Sequence, residues 1–109
     1  MSPITTHVLD TAKGCPAAGI KVSLEYLTEP NQWQLIATGK TDTDGRIMDW
    51  MQDQAQPGQY RITFDTDSYH QGEGFFPSVE IIFRINTSNS HYHVPLLLSP
   101  FSFATYRGS

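Results

Sequence analysis

Turn-forming clusters punctuate this chain at short intervals: Lys13-Gly14, Glu29-Pro30-Asn31, Asp44-Gly45, Pro57-Gly58, Gly72-Glu73-Gly74, Ser88-Asn89-Ser90 and Ser99-Pro100. Glycine supplies positive φ and proline presets φ near −65°, so such clusters reverse the chain. The runs between them are short and rich in Val, Ile, Thr, Tyr and Phe, and several alternate strictly. Ile20, Val22, Leu24 and Tyr26 share one side, with Lys21, Ser23 and Glu25 on the other. Val79, Ile81, Phe83 and Ile85 form a second apolar face, opposed mainly by Glu80 and Arg84, and Tyr60, Ile62 and Phe64 a third. A period of two is the mark of a strand with one buried face. Many short strands punctuated this way predict an all-β sandwich or barrel. The 65–71 stretch lacks alternation and is expected to hold one short helix.

The His91–Leu98 run departs from that pattern. Tyr92, Val94, Leu96 and Leu98 share one face, which is assigned to the core; His91, His93, Pro95 and Leu97 share the other. A strand apolar on both faces is covered on both. With few helices to provide that cover, a second copy of the chain is the expected one, placing the histidines in or beside a subunit interface. Pro95 cannot donate to a ladder, so an edge, a bulge or irregular pairing is expected there. The residues that follow, to Ser109, are apolar, aromatic and free of acidic side chains. Termini usually fray; one of this composition is expected to be packed.

At 109 residues the chain is read as a single domain, 1–109, able to bury roughly two-thirds of its unfolded surface. Cys15 is its one cysteine, so no internal disulfide forms and no oxidising compartment is required. The first residues carry neither a basic nor an apolar segment of the kind that directs secretion, and no apolar run approaches the roughly 18 residues of a membrane span. A cytoplasmic protein without membrane attachment is expected. Net charge is −4 and the basic residues are scattered, which argues against a nucleic-acid partner. The sequon Asn86-Thr87-Ser88 is expected to be unglycosylated.

Three of the four histidines, His7, His91 and His93, fall in strand-like segments. In the 4–10 run, Thr5, His7 and Leu9 share a side. If that strand joins the sheet of the C-terminal strands, His7 comes near His93. His-x-His on a strand projects both rings to one side, a spacing that metals use, yet local spacing supplies no third ligand. The plain alternative is that these are polar surface residues, against which stands their placement in an apolar strand. A histidine titrating near neutrality can also act as general base or acid. No Gly-x-Ser-x-Gly pattern marks a nucleophilic serine, and nothing local activates Cys15. Arg46 follows the Asp44-Gly45 turn; it is either an exposed turn residue or a guanidinium presented to carbonyl oxygens of a polar substrate. Asp42-Thr-Asp44-Gly45 superficially resembles a calcium loop but lacks the acidic spacing and final Glu. Arg107 is available to an anion or to the chain's own carboxylate, and Tyr106 adds a hydroxyl beside it.

Together, His7-Val-Leu-Asp10 with Gly14-Cys-Pro16-Ala17, Thr41-Asp-Thr-Asp44-Gly45-Arg46, Phe75-Phe76-Pro77, and His91-Tyr-His93-Val-Pro-Leu-Leu-Leu-Ser-Pro100 ending Tyr106-Arg-Gly-Ser109 resemble the 5-hydroxyisourate hydrolases, the transthyretin-related enzymes of urate breakdown. The blocks keep the family's order over nearly the whole chain. The terminal Tyr-Arg-Gly-Ser separates these enzymes from the hormone-carrying transthyretins. The resemblance implies a two-sheet, transthyretin-like β-sandwich of about eight strands, assembled as a homotetramer with active sites at the dimer–dimer interface. It implies hydrolysis of 5-hydroxyisourate to 2-oxo-4-hydroxy-4-carboxy-5-ureidoimidazoline without cofactor or metal. It places His7, Arg46 and His93 as catalytic residues, with Tyr106 and Ser109 joining His7 and Arg46 in substrate binding. His91 lies two residues before the matching position. The expected mechanism is direct attack by water, with His93 or His7 as the base, the other histidine as positioner or acid, and Arg46 on the substrate oxygens. The rival classes are a small-molecule carrier on the same fold and a zinc-dependent hydrolase.

Overall fold

The period-two runs become two stacked sheets in the computed structural model, which describes residues 2–87 and 90–108. The strands are β1 (Ile4–Asp10), β2 (Cys15–Pro16), β3 (Lys21–Glu29), β4 (Gln32–Lys40), β5 (Arg46–Ile47), β6 (Gly58–Phe64), β7 (Val79–Ile85), β8 (Tyr92–Leu98) and β9 (Phe103–Thr105), with one helix, α1 (Thr66–His70). One sheet runs β4-β3-β6-β7. The other runs β2-β1-β8-β9, with β5 also pairing β1. β2 and β5 are only two residues each, which is why the described strands outnumber the eight expected.

Register explains the core. Leu24 pairs with Ile62, and Ile62 with Ile81, so three of the predicted apolar faces meet in one row. Opposite them Val8 pairs with Leu96 and Thr6 with Val94. Ile4, Val8, Leu24, Ile62, Phe64, Leu96 and Leu98 are essentially inaccessible to water. Burial of each such side chain contributes roughly 1.5–3 kcal/mol. Tyr26 and Phe83, at the margins of the predicted faces, are half-buried against this core.

β4 is the longest of the strands that alternation did not reveal, the others being β2, β5 and β9, of two or three residues each. It is an edge strand paired with β3 through two register shifts, with Leu35 and Ile36 exposed. An edge strand with little buried side chain has no reason to alternate. Asn31, in the left-handed region at φ 66°, turns the chain from β3 into β4. The predicted helix is α1. Asp65 caps it by accepting from the Ser68 N–H at 3.2 Å, and Gln71 ends it in the left-handed region. Tyr69 ties it to β1 by donating to Asp10 Oδ2 at 2.6 Å.

Pro95 sits inside a sheet rather than at an edge. The parallel β1–β8 ladder runs straight past it, His7 opposite Pro95. The irregularity falls on the other side, where β9 pairs only with Leu96–Leu98 and the next bridge is His93 with Gly108. Thr105 Oγ1 donates to the Pro95 carbonyl at 2.7 Å within that gap. The missing proline N–H therefore points to the irregular side.

The tail is pinned but not buried. Phe101 is 74% exposed and Tyr106 57% exposed. An edge strand has one neighbour, so a single chain leaves its outer surfaces open. Ser109, and Ser88 and Asn89 of the sequon and its turn, lie outside the described residues. No helix among the described residues is long and apolar enough to cross a membrane.

Candidate active site

The pairing of β1 decides which distant residues meet. On one side it runs parallel to β8, with Thr5 opposite His93 and His7 opposite Pro95. On its other side it pairs with β5, with His7 opposite Arg46. Residues opposite one another in a ladder project to the same face. Thr6, Val8, Val94 and Leu96 fill the core, so Thr5, His7, Arg46, His93 and Pro95 occupy the outer face of this sheet. Thr5 and Pro95 are buried even there, while Leu9 and Leu97 are half-buried. The conditional expectation that β1 brings His7 near His93 is met.

Arg46 is held in register by its turn. The Asp42 carboxylate accepts from the N–H groups of Asp44 and Arg46, both at 2.9 Å. The Gly45 N–H donates to the Asp42 carbonyl at 2.9 Å, and the Gly45 carbonyl accepts from Val8 N–H at 2.7 Å. Gly45 has φ +74°, and a Cβ on it would collide with the Val8 carbonyl and crowd Pro16 Cβ at 3.1 Å. Only glycine lets the turn lie this close to β1. The aspartates that resemble a calcium loop are thus committed in part to the turn itself. Arg46 is half-buried rather than a free turn residue.

His93 is held on two edges. Its Nδ1 lies 2.7 Å from Thr5 Oγ1, which also lies 3.0 Å from His91 Nε2. Gly108 N–H donates to the His93 carbonyl at 2.8 Å. A Cβ on Gly108 would stand 2.6 Å from His93 Cδ2, so the glycine of the tail motif is needed for the tail to pass beside the ring. Arg107 stacks its guanidinium over the Tyr92 ring, 4.5 Å from the centroid. A cleft of about 280 Å³ opens here, its lining including His93, Phe83, Thr105, Tyr106 and Arg107.

Electrostatics set the imidazoles for base chemistry. Burial lowers the His7 pKa below its ordinary 6.5, and the Arg46 charge lowers it further, against a raising contribution from its hydrogen bond with the Asp44 backbone. Burial also lowers the His93 pKa, followed by Arg46, His7 and His91. Loss of solvation and a neighbouring cation both disfavour the protonated ring. At neutral pH the two rings are therefore neutral and able to accept a proton.

Of the residues singled out from sequence, the fold brings His7, Arg46 and His93 together and runs the chain of Tyr106 past Pro95, its side chain largely exposed. His91 is exposed but coupled to His93 through Thr5. Thr5 carried no role in the sequence reading. Its signal was there, two residues before His7 on the same side of the strand, but its partners lie 86 and 88 residues away. Among the described residues no group of three or more His, Cys, Asp or Glu converges as a cation site. Cys15 is exposed and unbonded to another cysteine.

A two-sheet sandwich with two imidazoles and a guanidinium on the outer face of one sheet defines a small β-sandwich protein whose exposed face is equipped for acid–base chemistry. The chain belongs to the HIUase/Transthyretin family, whose model matches residues 4–108. It is 47% identical to the 5-hydroxyisourate hydrolase of Mus musculus, over 99% of this chain and 96% of that protein. It is 50% identical to the uric acid degradation bifunctional protein TTL of Arabidopsis thaliana, over 98% of this chain; it spans only 37% of that longer protein. The solved structure of Klebsiella pneumoniae 5-hydroxyisourate hydrolase superposes with a TM-score of 0.86 at 33% identity, over the full length of both chains.

Proposed function

We propose that this chain is a 5-hydroxyisourate hydrolase of urate breakdown, opening the six-membered ring to give 2-oxo-4-hydroxy-4-carboxy-5-ureidoimidazoline. The observation that carries the reading is the placement of His7, Arg46 and His93 at neighbouring positions on one sheet face, with both imidazoles held neutral. Relatives that carry this name match nearly the whole chain.

In the reaction, the oxygen of a water molecule bonds to the ring carbonyl carbon as one imidazole takes the water's proton. His93 is the base favoured by the geometry, since Thr5 and Gly108 fix its ring; His7 orients the water or supplies a proton. Arg46 binds substrate oxygens through its planar fork and stabilises the charge that builds on the attacked carbonyl. The carbon–nitrogen ring bond then breaks; of the two protons the attacking water brought, one goes to the departing nitrogen and the other leaves the site as the new carboxyl group ionises. No covalent enzyme intermediate and no metal-bound water enter this scheme. Tyr106 lines the cleft beside His93.

A single chain leaves this face and the tail open. We assign their cover to further copies, in a homotetramer whose sites lie between subunits. The exposed Phe101 and Tyr106 support that assembly. A lone exposed cysteine needs no oxidising compartment, in keeping with a cytoplasmic location.

The test follows the ultraviolet decay of freshly made 5-hydroxyisourate with and without EDTA. Acceleration that survives chelation and is lost in His7→Ala and His93→Ala supports the hydrolase. Acceleration abolished by EDTA selects a zinc-dependent enzyme. Binding without acceleration selects the carrier.

A further inference from the structure

The structure contains a hydrogen-bonded link behind His93 that continues past Thr5 to His91, a residue the reaction scheme leaves unused. Thr5 Oγ1 lies within hydrogen-bond distance of two ring nitrogens, His93 Nδ1 at 2.7 Å and His91 Nε2 at 3.0 Å. Within one chain Thr5 is 0% exposed, His93 half-buried and His91 exposed, so the three groups lead from the site outward, to the end of the strand. The two imidazoles stand nearly parallel, 26° apart, with centroids separated by 6.4 Å. The charged and titratable groups that act on His93 are Arg46 from β5, His7 from β1 and His91 just ahead of β8.

A neutral imidazole carries one N–H, and a threonine hydroxyl has one hydrogen to donate. To serve as base, His93 must present a bare nitrogen to water. Nδ1 is occupied by Thr5, so the bare atom has to be Nε2, and the ring proton has to sit on Nδ1. That proton is donated to Thr5 Oγ1. The hydroxyl hydrogen is then directed to the other ring nitrogen in reach, His91 Nε2. One threonine placed between two histidines thus allows a single direction of donation: His93 to Thr5 to His91.

We propose that Thr5 is a positioning residue that sets the His93 tautomer, and that His91 is the proton outlet of the site; the inference rests on the hydrolase reading above. When Nε2 takes a proton from water, the Nδ1 proton can pass to Thr5 Oγ1 as the hydroxyl proton passes to His91 Nε2. One proton enters, two shift by one bond each, and the single positive charge moves from the half-buried ring to the exposed one. No electrons are transferred and no other reactant is needed.

The test records ¹⁵N shifts of labelled histidines beside steady-state kinetics for the full assembled protein. In the wild type His93 is expected to be protonated on Nδ1 and bare at Nε2 at neutral pH. Thr5→Val keeps the shape and removes the hydroxyl; it should shift His93 toward the Nε2–H tautomer and lower kcat about tenfold with little change in KM, the scale of one hydrogen bond. Thr5→Ser should restore both readouts. His91→Ala should act like Thr5→Val, and the double variant should lose no more than either alone, as coupled sites do. A wild-type His93 protonated on Nε2, or a Thr5→Val enzyme with unchanged tautomer and kcat, overturns the proposal. Absence of turnover in the wild type, with the tautomer still following Thr5, overturns the hydrolase reading and leaves the positioning role standing.

Discussion

His7 and His93 owe their chemistry to what surrounds them rather than to imidazole itself. Burial and the Arg46 guanidinium disfavour protonation of both rings. A base whose pKa lies below 6.5 is fully available above that value and is lost as pH falls through its own lower pKa. The pH–rate profile is therefore expected to be flat around neutrality and to drop on the acid side, below the ordinary histidine range. In Arg46→Gln that acid limb should move up toward the ordinary value, because the neighbouring cation is gone; a limb that stays in place shows that Arg46 does not act on the bases. Replacing His93 by Ala should cost about 10²–10⁴ in kcat, the usual scale of general acid–base help.

At the level of elements, the site depends on how closely the Asp42–Arg46 turn lies against β1. Gly45→Ala places a Cβ against the Val8 carbonyl at a positive φ. The left-handed conformation and the contact together should cost about 1–3 kcal/mol. In a domain of this size each kcal/mol lowers Tm by roughly 4–8 °C. Kinetic loss in the folded fraction should accompany the thermal loss, since Arg46 moves with the turn. The attachment of α1 supplies a different test. Burial raises the Asp10 pKa, but hydrogen bonds from Tyr69 and the backbone of Lys13 and Ala12, with the Lys13 charge, bring it below the ordinary carboxylate value. A lowered carboxylate pKa stabilises the fold above the ordinary range and ceases to do so as pH falls through the folded-state value. Tyr69→Phe removes one of those donors and should cost about 1.5–3 kcal/mol at neutral pH. Thermal melts of the two proteins should converge in acid; a gap that persists there shows that the hydrogen bond does not depend on the carboxylate charge.

For the whole molecule, the open outer face and the pinned, exposed tail predict separable effects on folding and activity. Tyr106 and Arg107 bury little within one chain. Removal of residues 106–109 should leave the secondary structure of the subunit intact while activity falls severely. Sedimentation of the intact protein should give a tetramer. A monomeric, fully active species would remove the subunit interface from the account of the site.

Much of the architecture could be read from residue order. Alternation located β3, β6, β7 and β8, and the loss of alternation located α1, because a buried face leaves its period in the chain. β4 left no such trace, since an edge strand is not required to bury a face. The chemistry-bearing residue types were visible too, but His7, Arg46 and His93 each had a plain reading as a surface or turn residue, and it was the resemblance to a family that singled them out. What residue order alone did not decide is which of them meet. That depended on β1 pairing parallel with β8 on one side and with the two-residue β5 on the other, and on a glycine that lets a turn touch the strand. Thr5 acquired its role only there, because a hydroxyl becomes a link between two imidazoles when a ladder spanning most of the chain sets it opposite one of them.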